Sequence, residues 1–285
     1  MNEKKKRIDI FLVEKGFFDS RNRAQRAIMA GLVYADEKKV EKPGAKVPLS
    51  AKIEVKGEAH PYVSRGGVKL EHALKKFKAC PSSRHSSGRR IEVKDKVIID
   101  IGASTGGFTD CLLQRGAKKV YAIDVGYGQL AWKLRQDKRV LPVERTNIRY
   151  LKPEGLYKEE KTKASLATID VSFISLSKVL PAVYNLLTDD GEVIALVKPQ
   201  FEAERNEVEK GGLITKKNIH EKVLKKIIQE AELKKFGVLA ITYSPIAGAD
   251  GNLEFFVYLK KNAKSNSEVL DKIEQVVREA HNPTP

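Results

Sequence analysis

The chain has 285 residues, of which 41% are apolar and 32% charged, with a formal net charge of +16 and two cysteines. This length allows a sizeable core and predicts two domains. No apolar run approaches the roughly 18 residues that a membrane span needs, and the mixed amphipathic segment after Arg7 is not a secretory signal. Cys80 and Cys111 fit no metal or redox spacing. We therefore expect a cytoplasmic protein without a metal and without stable membrane association.

The positive charge is concentrated in the first third of the chain. Residues 1–96 hold 24 Lys and Arg against 12 Asp and Glu, and the rest of the chain is nearly balanced. Such an excess is the electrostatic footprint expected where a polyanion docks. Nucleic acid is the leading partner, although an anionic membrane surface would also attract this charge.

The spacing of apolar residues predicts two short helices over residues 7–30, followed by short strands. Ser20 is a suitable N-cap for the second helix, and Gly31 ends it. Valines and an isoleucine then alternate with turn residues, which predicts a hairpin-rich module; these residues are Val33, Val40, Val47, Ile53 and Val55. Arg21, Arg23 and Arg26 occupy the first two turns of the second helix, where they could contact phosphates or form a solvated basic face.

The segment RIDIFLVEKGFFDSRNRAQRAIMAGLVYADEKKV resembles the S4 RNA-binding domain in its R-x-D start, its S-R-x-x-A-Q core and its G-x-V turn. The resemblance implies an S4 domain over residues 1–60. It also implies RNA contacts, which are assigned to Arg7, Ser20, Arg21, Arg23 and Arg26. Arg65, just ahead of the next helix, is a further candidate RNA contact.

A connecting region is expected over residues 61–95, after a linker at 56–63. Ser64-Arg65-Gly66-Gly67 leads into a helix from about 67 to 77 that carries Lys69. Residues 78–95 are rich in Ser, Arg and Lys without periodicity, and this composition predicts a flexible basic loop.

From Lys96 onward, apolar strands alternate with amphipathic helices, which predicts a parallel α/β sheet with helices on both faces. The strands are expected near 97–101, 119–124, 139–143, 165–170, 192–198, 238–243 and 253–259. A short loop joins the last two, so we expect them to pair antiparallel. This domain is expected over residues 96–262, followed by a polar C-terminal tail at 263–285 with one possible helix.

The first of these strands runs into a glycine-rich turn, DIGASTGGF, that must open a helix. Gly102, Gly106 and Gly107 allow a tight turn against a ligand at the carboxyl end of the strand. Ser104 replaces the second glycine of the dinucleotide pattern, so a cofactor without a diphosphate fits better. Asp124 ends the second strand, where a carboxylate can accept ribose hydroxyls. This combination is typical of S-adenosylmethionine-dependent methyltransferases, although an ordinary strand-to-helix turn remains open.

Methyl transfer to a hydroxyl requires a positioned base and cations that stabilise the developing alkoxide. A lysine can serve as the base when its pKa is lowered. Asp170 and Lys198 end predicted strands, and Glu254 begins the reversed one, so all three belong to one sheet edge. Lys69 would have to approach from the preceding helix. As isolated residues, each could equally be a cap or a surface charge.

Together Lys69, Asp170, Lys198 and Glu254 resemble the K-D-K-E tetrad of FtsJ-like RNA ribose 2′-O-methyltransferases. Several sequence segments are similar to the TlyA family of S4-bearing rRNA cytidine 2′-O-methyltransferases, some of which carry a hemolysin name. These segments are SRGGVKL, DVGYGQLAWKLR, DVSFISL, VKPQFE and SPIAGADGNLEFF. The resemblance implies a seven-stranded class I (Rossmann-like) methyltransferase domain. It implies that Lys198 is the base beside Asp170, while Lys69 and Glu254 orient the ribose.

The same resemblance implies S-adenosyl-L-methionine as cofactor and ribosomal RNA, 16S or 23S or both, as the partner. The implied cofactor contacts are Asp100, Gly102, Ala103, Ser104, Gly106, Gly107, Phe108, Asp124, Val125, Asn147, Asp170 and Phe173. The 78–95 loop and the turn at residues 204–207 depart from the family pattern. A monomer is compatible with a single S4 domain.

Three other functions are considered. Residues 102–106 fit the nucleophile pattern G-x-S-x-G of hydrolases, but only His220 and His281 follow Ser104, and neither is expected on a loop after a strand. A membrane-lysing protein would need a spanning or strongly amphipathic segment that the sequence lacks. A non-catalytic, rRNA-binding assembly factor with the same fold stays open.

Overall fold

The protein was analysed as a computed structural model that describes residues 5–18, 20–29, 31–56, 61–78, 91–158, 162–248 and 250–282, without the side chains of Arg26 and Lys78. The chain divides into two compact units, Met1–Arg65 and Gly66–Pro285. The expected basic loop at 78–95 falls largely outside the described residues. Its described end is not solvated throughout, because Ile91 and Val93 are buried.

The smaller unit packs two helices against short strands. Its elements are β1 (Lys5–Arg7), α1 (Ile8–Glu14), α2 (Arg21–Met29), β2 (Val33–Ala35), β3 (Lys38–Lys39), β4 (Lys46–Pro48) and β5 (Ile53–Val55). Strand β2 lies between β3 and β5, and β1 pairs with β4. The apolar positions at helical spacing, Ile8, Leu12, Ala24 and Ala27, are fully buried in one core. The two helices are therefore confirmed, while β1 was not predicted.

The larger unit contains a seven-stranded sheet within the described residues. Its strands are β6 (Val97–Ile101), β7 (Lys119–Ile123), β8 (Val140–Val143), β9 (Ala164–Ile169), β10 (Leu187–Val197), β11 (Phe236–Tyr243) and β12 (Phe255–Lys261). Their order is β11-β12-β10-β9-β6-β7-β8, and β12 is antiparallel to both of its neighbours. The predicted α/β class and the single reversed strand are confirmed.

Helices cover this sheet. They are α3 (Gly66–Lys78), α4 (Gly107–Gln114), α5 (Trp132–Arg135), α6 (Pro153–Tyr157), α7 (Leu180–Leu186), α8 (Pro199–Glu202), α9 (Lys217–Leu233) and α10 (Ile273–His281). In α9, buried residues recur at spacings of three and four, such as Val223, Leu224, Ile227 and Ile228, which is the pattern of a helix with one apolar face. That face joins the main core with the strands.

The C-terminal segment differs from the expected polar tail. Val269, Ile273, Val276 and Val277 are buried in the same core as the sheet, and α10 packs against α9 and β11. The low apolar content of residues 263–285 concealed this role, because only one face of a short helix needs to be apolar. The packed unit therefore extends well beyond residue 262.

Candidate functional site at the carboxyl edge of the sheet

The candidate residues meet at one edge of the larger sheet. Strands β6, β7, β9 and β10 run parallel, so Asp124, Asp170 and Lys198 follow strand ends that lie at the same edge. Because β12 runs in the opposite direction, Glu254 precedes it at that edge. Val197 of β10 pairs with Phe255 of β12. Lys198 and Glu254 are the next residues along these two strands, so both lie beside this pair.

The turn after β6 depends on glycine at Gly102. Its φ is +81°, a left-handed conformation that favours glycine. A Cβ at this position would also lie 2.3 Å from the carbonyl oxygen of Asp170. The backbone of the glycine-rich turn therefore lies directly against the start of the segment after β9, and a side chain here would separate them.

Asp124 ties the second strand to the same turn. Its Oδ2 accepts a hydrogen bond from the backbone N–H of Ser104 at 2.8 Å, and its Oδ1 accepts one from Gly126 at 2.7 Å. These two bonds fix the carboxylate at the side of the turn that faces outward. A half-buried, oriented carboxylate in this place can accept the hydroxyls of a ribose.

A cleft of about 530 Å³ opens beside this turn. Seven of the predicted cofactor contacts line it: Gly102, Ser104, Asp124, Val125, Asn147, Asp170 and Phe173. Phe173 and Val125 are 91% and 69% exposed. Apolar side chains left open beside polar groups are characteristic of a ligand site. Sequence reasoning missed several further lining residues, among them Gln129, Thr146, Arg149, Ser172 and Lys178.

The other predicted cofactor contacts do not reach the cleft wall. Ala103, Gly106, Gly107 and Phe108 are buried and are not among the residues that line the cleft within the described chain; Phe108 stacks on Phe256 instead. Helix α4 begins at Gly107, and the chain turns inward at this point. These four residues lie beneath the turn, and their contact with the cofactor stays a prediction.

Asp100 also lies below the cleft. It is fully buried, and its two carboxylate oxygens accept hydrogen bonds from Thr109 Oγ1 at 2.6 Å and Thr168 Oγ1 at 2.8 Å. Burial raises the pKa of Asp100 to about 6. The expected direct cofactor contact is therefore replaced by a structural link between β6, α4 and β9.

Lys69 and Glu254 form one buried ion pair of the tetrad. Helix α3 brings Lys69 Nζ to 2.5 Å from Glu254 Oε2, with side chains only 10% and 3% exposed. Burial raises the pKa of Glu254, and the nearby charge of Lys69 only partly opposes this shift. A buried pair of this kind is sensitive to the loss of either partner.

Lys198 and Asp170 form the second pair. Lys198 Nζ lies 2.7 Å from Asp170 Oδ1 and donates a hydrogen bond to Ser172 Oγ at 2.8 Å. Lys198 Nζ is thus an ionic partner of Asp170 Oδ1, which is itself buried. The charge of Asp170 raises the pKa of Glu254 and that of Lys198 lowers it, which shows that the two pairs are close enough to interact.

Two residues near Glu254 were not anticipated from sequence. A Cβ on Gly248 would lie 2.6 Å from Glu254 Oε1, so glycine leaves the space that this carboxylate occupies. Asn252 is buried and bonds the backbone at Ile214 and Gly212, which fixes the loop that precedes β12. The glycine in SPIAGADGNLEFF was visible in sequence, but its contact with Glu254 was not.

Two of the predicted RNA contacts in the smaller unit, Arg7 and Arg21, bind a buried carboxylate. Asp9 is fully buried and accepts hydrogen bonds from Arg7 (3.1 and 3.0 Å), Arg21 (2.8 Å) and Gln25 (2.8 Å). The side chains of Arg7 and Arg21 remain 43% and 51% exposed. Asp9 belongs to the R-x-D start of the sequence, but its hydrogen bonds with both arginines were not predicted.

The other predicted RNA contacts are Ser20, Arg23, Arg26 and Arg65. Ser20 Oγ accepts a hydrogen bond from the backbone N–H of Arg23 at 3.4 Å, as expected of an N-cap. Arg23 and Arg65 are exposed, and Arg26 lies within α2 with its side chain outside the described part of the chain. Residues of α2 thus retain their predicted helical positions.

The hydrolase alternative finds no support in the histidines. His220 is fully buried within α9, and its Nδ1 lies 3.0 Å from His281 Nε2. Both rings therefore serve the contact between α9 and α10, while Ser104 faces the cleft. No helix among the described residues is long and apolar enough to cross a membrane.

Comparisons with known proteins agree with this geometry. The FtsJ-like methyltransferase family model matches residues 62–261, and the S4 domain model matches residues 6–53. The YqxC protein of Bacillus subtilis is 47% identical over 99% of this chain and 96% of its own length. The 16S/23S rRNA (cytidine-2'-O)-methyltransferase TlyA of Mycobacterium tuberculosis is 38% identical over 89% of each chain.

A solved structure of a hemolysin-named protein from Streptococcus thermophilus is also similar. It has 45% sequence identity and a TM-score of 0.74, and the match covers 97% of this chain and 96% of that one. The similarity therefore extends over both units. From the extent of the family match and the identity of these relatives, we conclude that the chain belongs to the FtsJ-like methyltransferase family and carries an S4 domain.

Proposed function

We propose that this protein methylates the ribose 2′-hydroxyl of cytidine in ribosomal RNA, in the small subunit, the large subunit or both, with S-adenosyl-L-methionine as methyl donor. The observation that carries the proposal is the pair of interacting ion pairs beside the cleft, Lys69–Glu254 and Lys198–Asp170. The cytidine-2'-O activity in the name of the Mycobacterium tuberculosis relative supports it.

The cleft fits the proposed cofactor. The exposed ring of Phe173 and the exposed side chain of Val125 offer apolar surface for an adenine, and Asp124 offers a carboxylate for the ribose. Asp170, whose Oδ1 is buried against Lys198 Nζ, lines the same cleft. When bound, the cofactor supplies an electrophilic methyl group on a sulfonium.

The tetrad supplies the chemistry that a ribose hydroxyl lacks. We assign to Lys198 the removal of the 2′-hydroxyl proton, since its Nζ contacts both Asp170 and Ser172 at the cleft wall. Lys69 is held by Glu254 and provides positive charge for the developing alkoxide. Burial of both pairs limits access of water, which strengthens these electrostatic interactions.

Exposed aromatic and arginine side chains near the cleft are suited to RNA. The guanidinium of Arg145 lies 4.3 Å from the ring centre of Tyr127, and that of Arg149 lies 5.1 Å from Tyr150. Tyr127 and Tyr150 are 68% and 73% exposed, and Arg149 lines the cleft. Aromatic and arginine planes stack on unpaired bases, and arginine also contacts phosphate.

The smaller unit provides a second basic surface for the proposed partner. Arg7 and Arg21 present half-exposed guanidiniums that Asp9 holds in place, which is suited to phosphate recognition. We propose ribosomal RNA or an assembled subunit as the partner, and a monomer as the acting form. The cytoplasmic location expected from the sequence stays a prediction.

The test is transfer of labelled methyl from S-adenosylmethionine to purified ribosomal subunits and to naked rRNA, followed by nucleotide mapping. We expect label on a cytidine ribose that is lost with Lys198→Ala and retained with the control Lys234→Ala, a lysine paired with Glu230 at the end of α9. RNA and cofactor binding without any transfer would instead favour the assembly factor. Label on a base rather than a ribose would contradict the assignment of the tetrad.

A further inference from the structure

A buried glutamate one turn beyond Lys198 connects the two segments that form the catalytic edge. Glu202 ends α8 and is only 3% exposed. Its Oε1 accepts a hydrogen bond from the backbone N–H of Leu176 at 2.7 Å. Leu176 lies at the end of the segment 170–176, which follows β9 and contains Asp170, Ser172 and Phe173. One side chain thus joins the chain after Lys198 to the chain after Asp170.

The segment 170–176 is fixed at both ends. At its start, the backbone N–H of Asp170 donates to the carbonyl of Ile101 at 2.9 Å, which continues the pairing of β9 with β6. At its end, the bond from Leu176 to Glu202 is a side-chain contact made by a different element. Loss of Glu202 would therefore remove this bond at the second end of the segment while the pairing at the first end stayed in place.

Phe173 lies between these two anchors in a conformation that needs support. Its φ is +63°, in the left-handed region that is unfavourable for a residue with a Cβ. Such a conformation is unfavourable and persists only when the surroundings enforce it. The ring of Phe173 lies 5.0 Å from that of Phe201, the neighbour of Glu202 on α8, yet it is 91% exposed toward the cleft.

The position of Glu202 is itself stabilised from α9. Lys226 Nζ donates to the carbonyl oxygen of Glu202 at 2.7 Å, and its charge favours the ionised carboxyl. Burial nevertheless raises the pKa of Glu202, although hydrogen bonds from Ser175 and Leu176 favour the ionised form. Desolvation of a buried carboxyl group is unfavourable, and the bond from the Leu176 N–H offsets part of this cost.

We propose that Glu202 is a positioning residue that holds the segment 170–176 against α8, so that Phe173 faces the cofactor cleft and Asp170 and Ser172 face Lys198. Glu202 contacts none of the reacting groups itself; it acts through Leu176. The inference rests on the proposed function, since its readouts are cofactor binding and methyl transfer.

The experiment compares Glu202→Ala with Glu202→Gln, whose amide oxygen can still accept the Leu176 N–H. We expect Glu202→Ala to weaken S-adenosylmethionine binding by tenfold or more in calorimetry and to lower kcat, while Glu202→Gln stays within about threefold of wild type. RNA affinity should not change in either variant. Equal cofactor affinity in Glu202→Ala and wild type would overturn the proposal.

The matched control is Glu192→Ala. Glu192 is a buried glutamate in the middle of β10, where it accepts hydrogen bonds from Lys96 at 2.7 Å and Tyr258 at 2.5 Å. Its loss should lower Tm without changing cofactor affinity. If Glu202→Ala fails to fold, Glu202→Asp takes its place, because it keeps the charge but withdraws the acceptor by one methylene; unchanged cofactor affinity in that variant equally overturns the proposal.

A double-variant cycle with Phe173 separates positioning from general loosening. If Glu202 acts on the cofactor through Phe173, Glu202→Ala combined with Phe173→Ala should bind S-adenosylmethionine no more weakly than Phe173→Ala alone. Additive losses would contradict this route. Absence of cofactor binding by the wild-type protein would refute the proposed function instead, so the two failures are distinguishable.

Discussion

The two units each contain a buried carboxylate that binds cations, and the pKa values of these two carboxylates shift in opposite directions. In the smaller unit, the side chains of Arg7, Arg21 and Gln25 donate to Asp9, led by Arg7, and hold its pKa well below the usual range. In the larger unit, Glu254 has one lysine partner, and burial raises its pKa. The number of donors relative to burial decides the direction.

This difference corresponds to different tasks. Asp9 remains ionised and serves as a fixed anchor that turns two half-exposed arginines toward solvent. Glu254 and Asp170 have few donors, and their charges interact with Lys69 and Lys198 in a site suited to proton transfer. We propose that the fully satisfied carboxylate organises a binding surface, whereas the incompletely satisfied ones belong to a reactive site.

The largest effect that sharpens this comparison is expected from Lys198→Arg. Arginine keeps a positive charge near Asp170 but cannot lose its proton, so it separates charge from base function. We expect single-turnover methyl transfer to fall by about 10³-fold, within the range typical for loss of a general base. S-adenosylmethionine affinity should stay near wild type. Substantial turnover at neutral pH would show that charge alone suffices.

A second variant addresses the buried carboxylate that has hydroxyl partners and no cation partner. The pKa of Asp100 is raised from 3.8 to about 6, so the folded state favours its protonated form, and the associated stability is lost as pH rises through 6. This difference corresponds to about 3 kcal/mol. We therefore expect the free energy of unfolding of Asp100→Asn, relative to that of wild type, to rise by about 3 kcal/mol as the pH increases from 4 to 8.

The measurement for Asp100→Asn is chemical unfolding of both proteins across this pH range. Comparison with wild type at each pH removes the contributions of all other titrating groups. A stability difference that does not change with pH would mean that Asp100 titrates alike in the folded and unfolded chains.

Asp9→Asn tests the opposite case in the smaller unit. Hydrogen bonds to a charged group contribute about 1.5–3 kcal/mol, and half-exposure of the arginines reduces this, so we expect a loss of about 2 kcal/mol at pH 7. Because the folded pKa is lowered, the stabilisation is present above 3.8 and is lost as pH falls below it. The loss of stability of Asp9→Asn relative to wild type should therefore become smaller in acid.

The control for Asp9→Asn is Glu14→Gln. Glu14 pairs with Lys6 on the same unit, but both side chains are exposed, at 49% and 38%. An exposed pair of this kind contributes little, so unfolding of this variant should stay within about 0.5 kcal/mol of wild type. Equal losses in the two variants would remove the distinction between anchor and surface pair.

The smallest effect is expected from Gly248→Ala. The new methyl group would lie 2.6 Å from Glu254 Oε1 and displace the carboxylate from Lys69. We predict a roughly tenfold lower kcat, about 1.4 kcal/mol, with unchanged S-adenosylmethionine affinity. Gly155→Ala, whose nearest neighbour would be Leu151 at 3.6 Å, should behave as wild type. A kcat unaffected by Gly248→Ala would show that the position of Glu254 is not critical.

Much of the fold was predictable from local patterns. Strands such as β6 and β7 are short apolar runs followed by turn residues, and their period and length were correctly interpreted. The register between them could not be predicted, nor could β1, whose three residues Lys5–Arg7 are strongly polar. Helix α10 was underestimated because its apolar residues are few, although all of them face the core.

The candidate site was predicted in part for the same reason. Residues at strand ends, such as Asp124 and Asp170, line the cleft because a parallel sheet brings its carboxyl ends together. Motif residues within the glycine-rich turn were assigned cofactor contacts without distinction. Only the inward turn of the chain at α4 separates Gly102 on the cleft wall from Phe108 beneath it.

The sequence by itself determined the two-unit organisation and the α/β class, because these depend on periodicity and on short motifs. The tetrad, which rests on a resemblance to a family, stays a prediction. Tertiary structure decided the partners: Lys69 with Glu254 across 185 positions, Asp9 with Arg21, and Glu202 with Leu176. Pairing and burial are properties of residues that meet only after folding. Since burial and the number of donors set protonation and position, the chemistry of each carboxylate became apparent only in the folded chain.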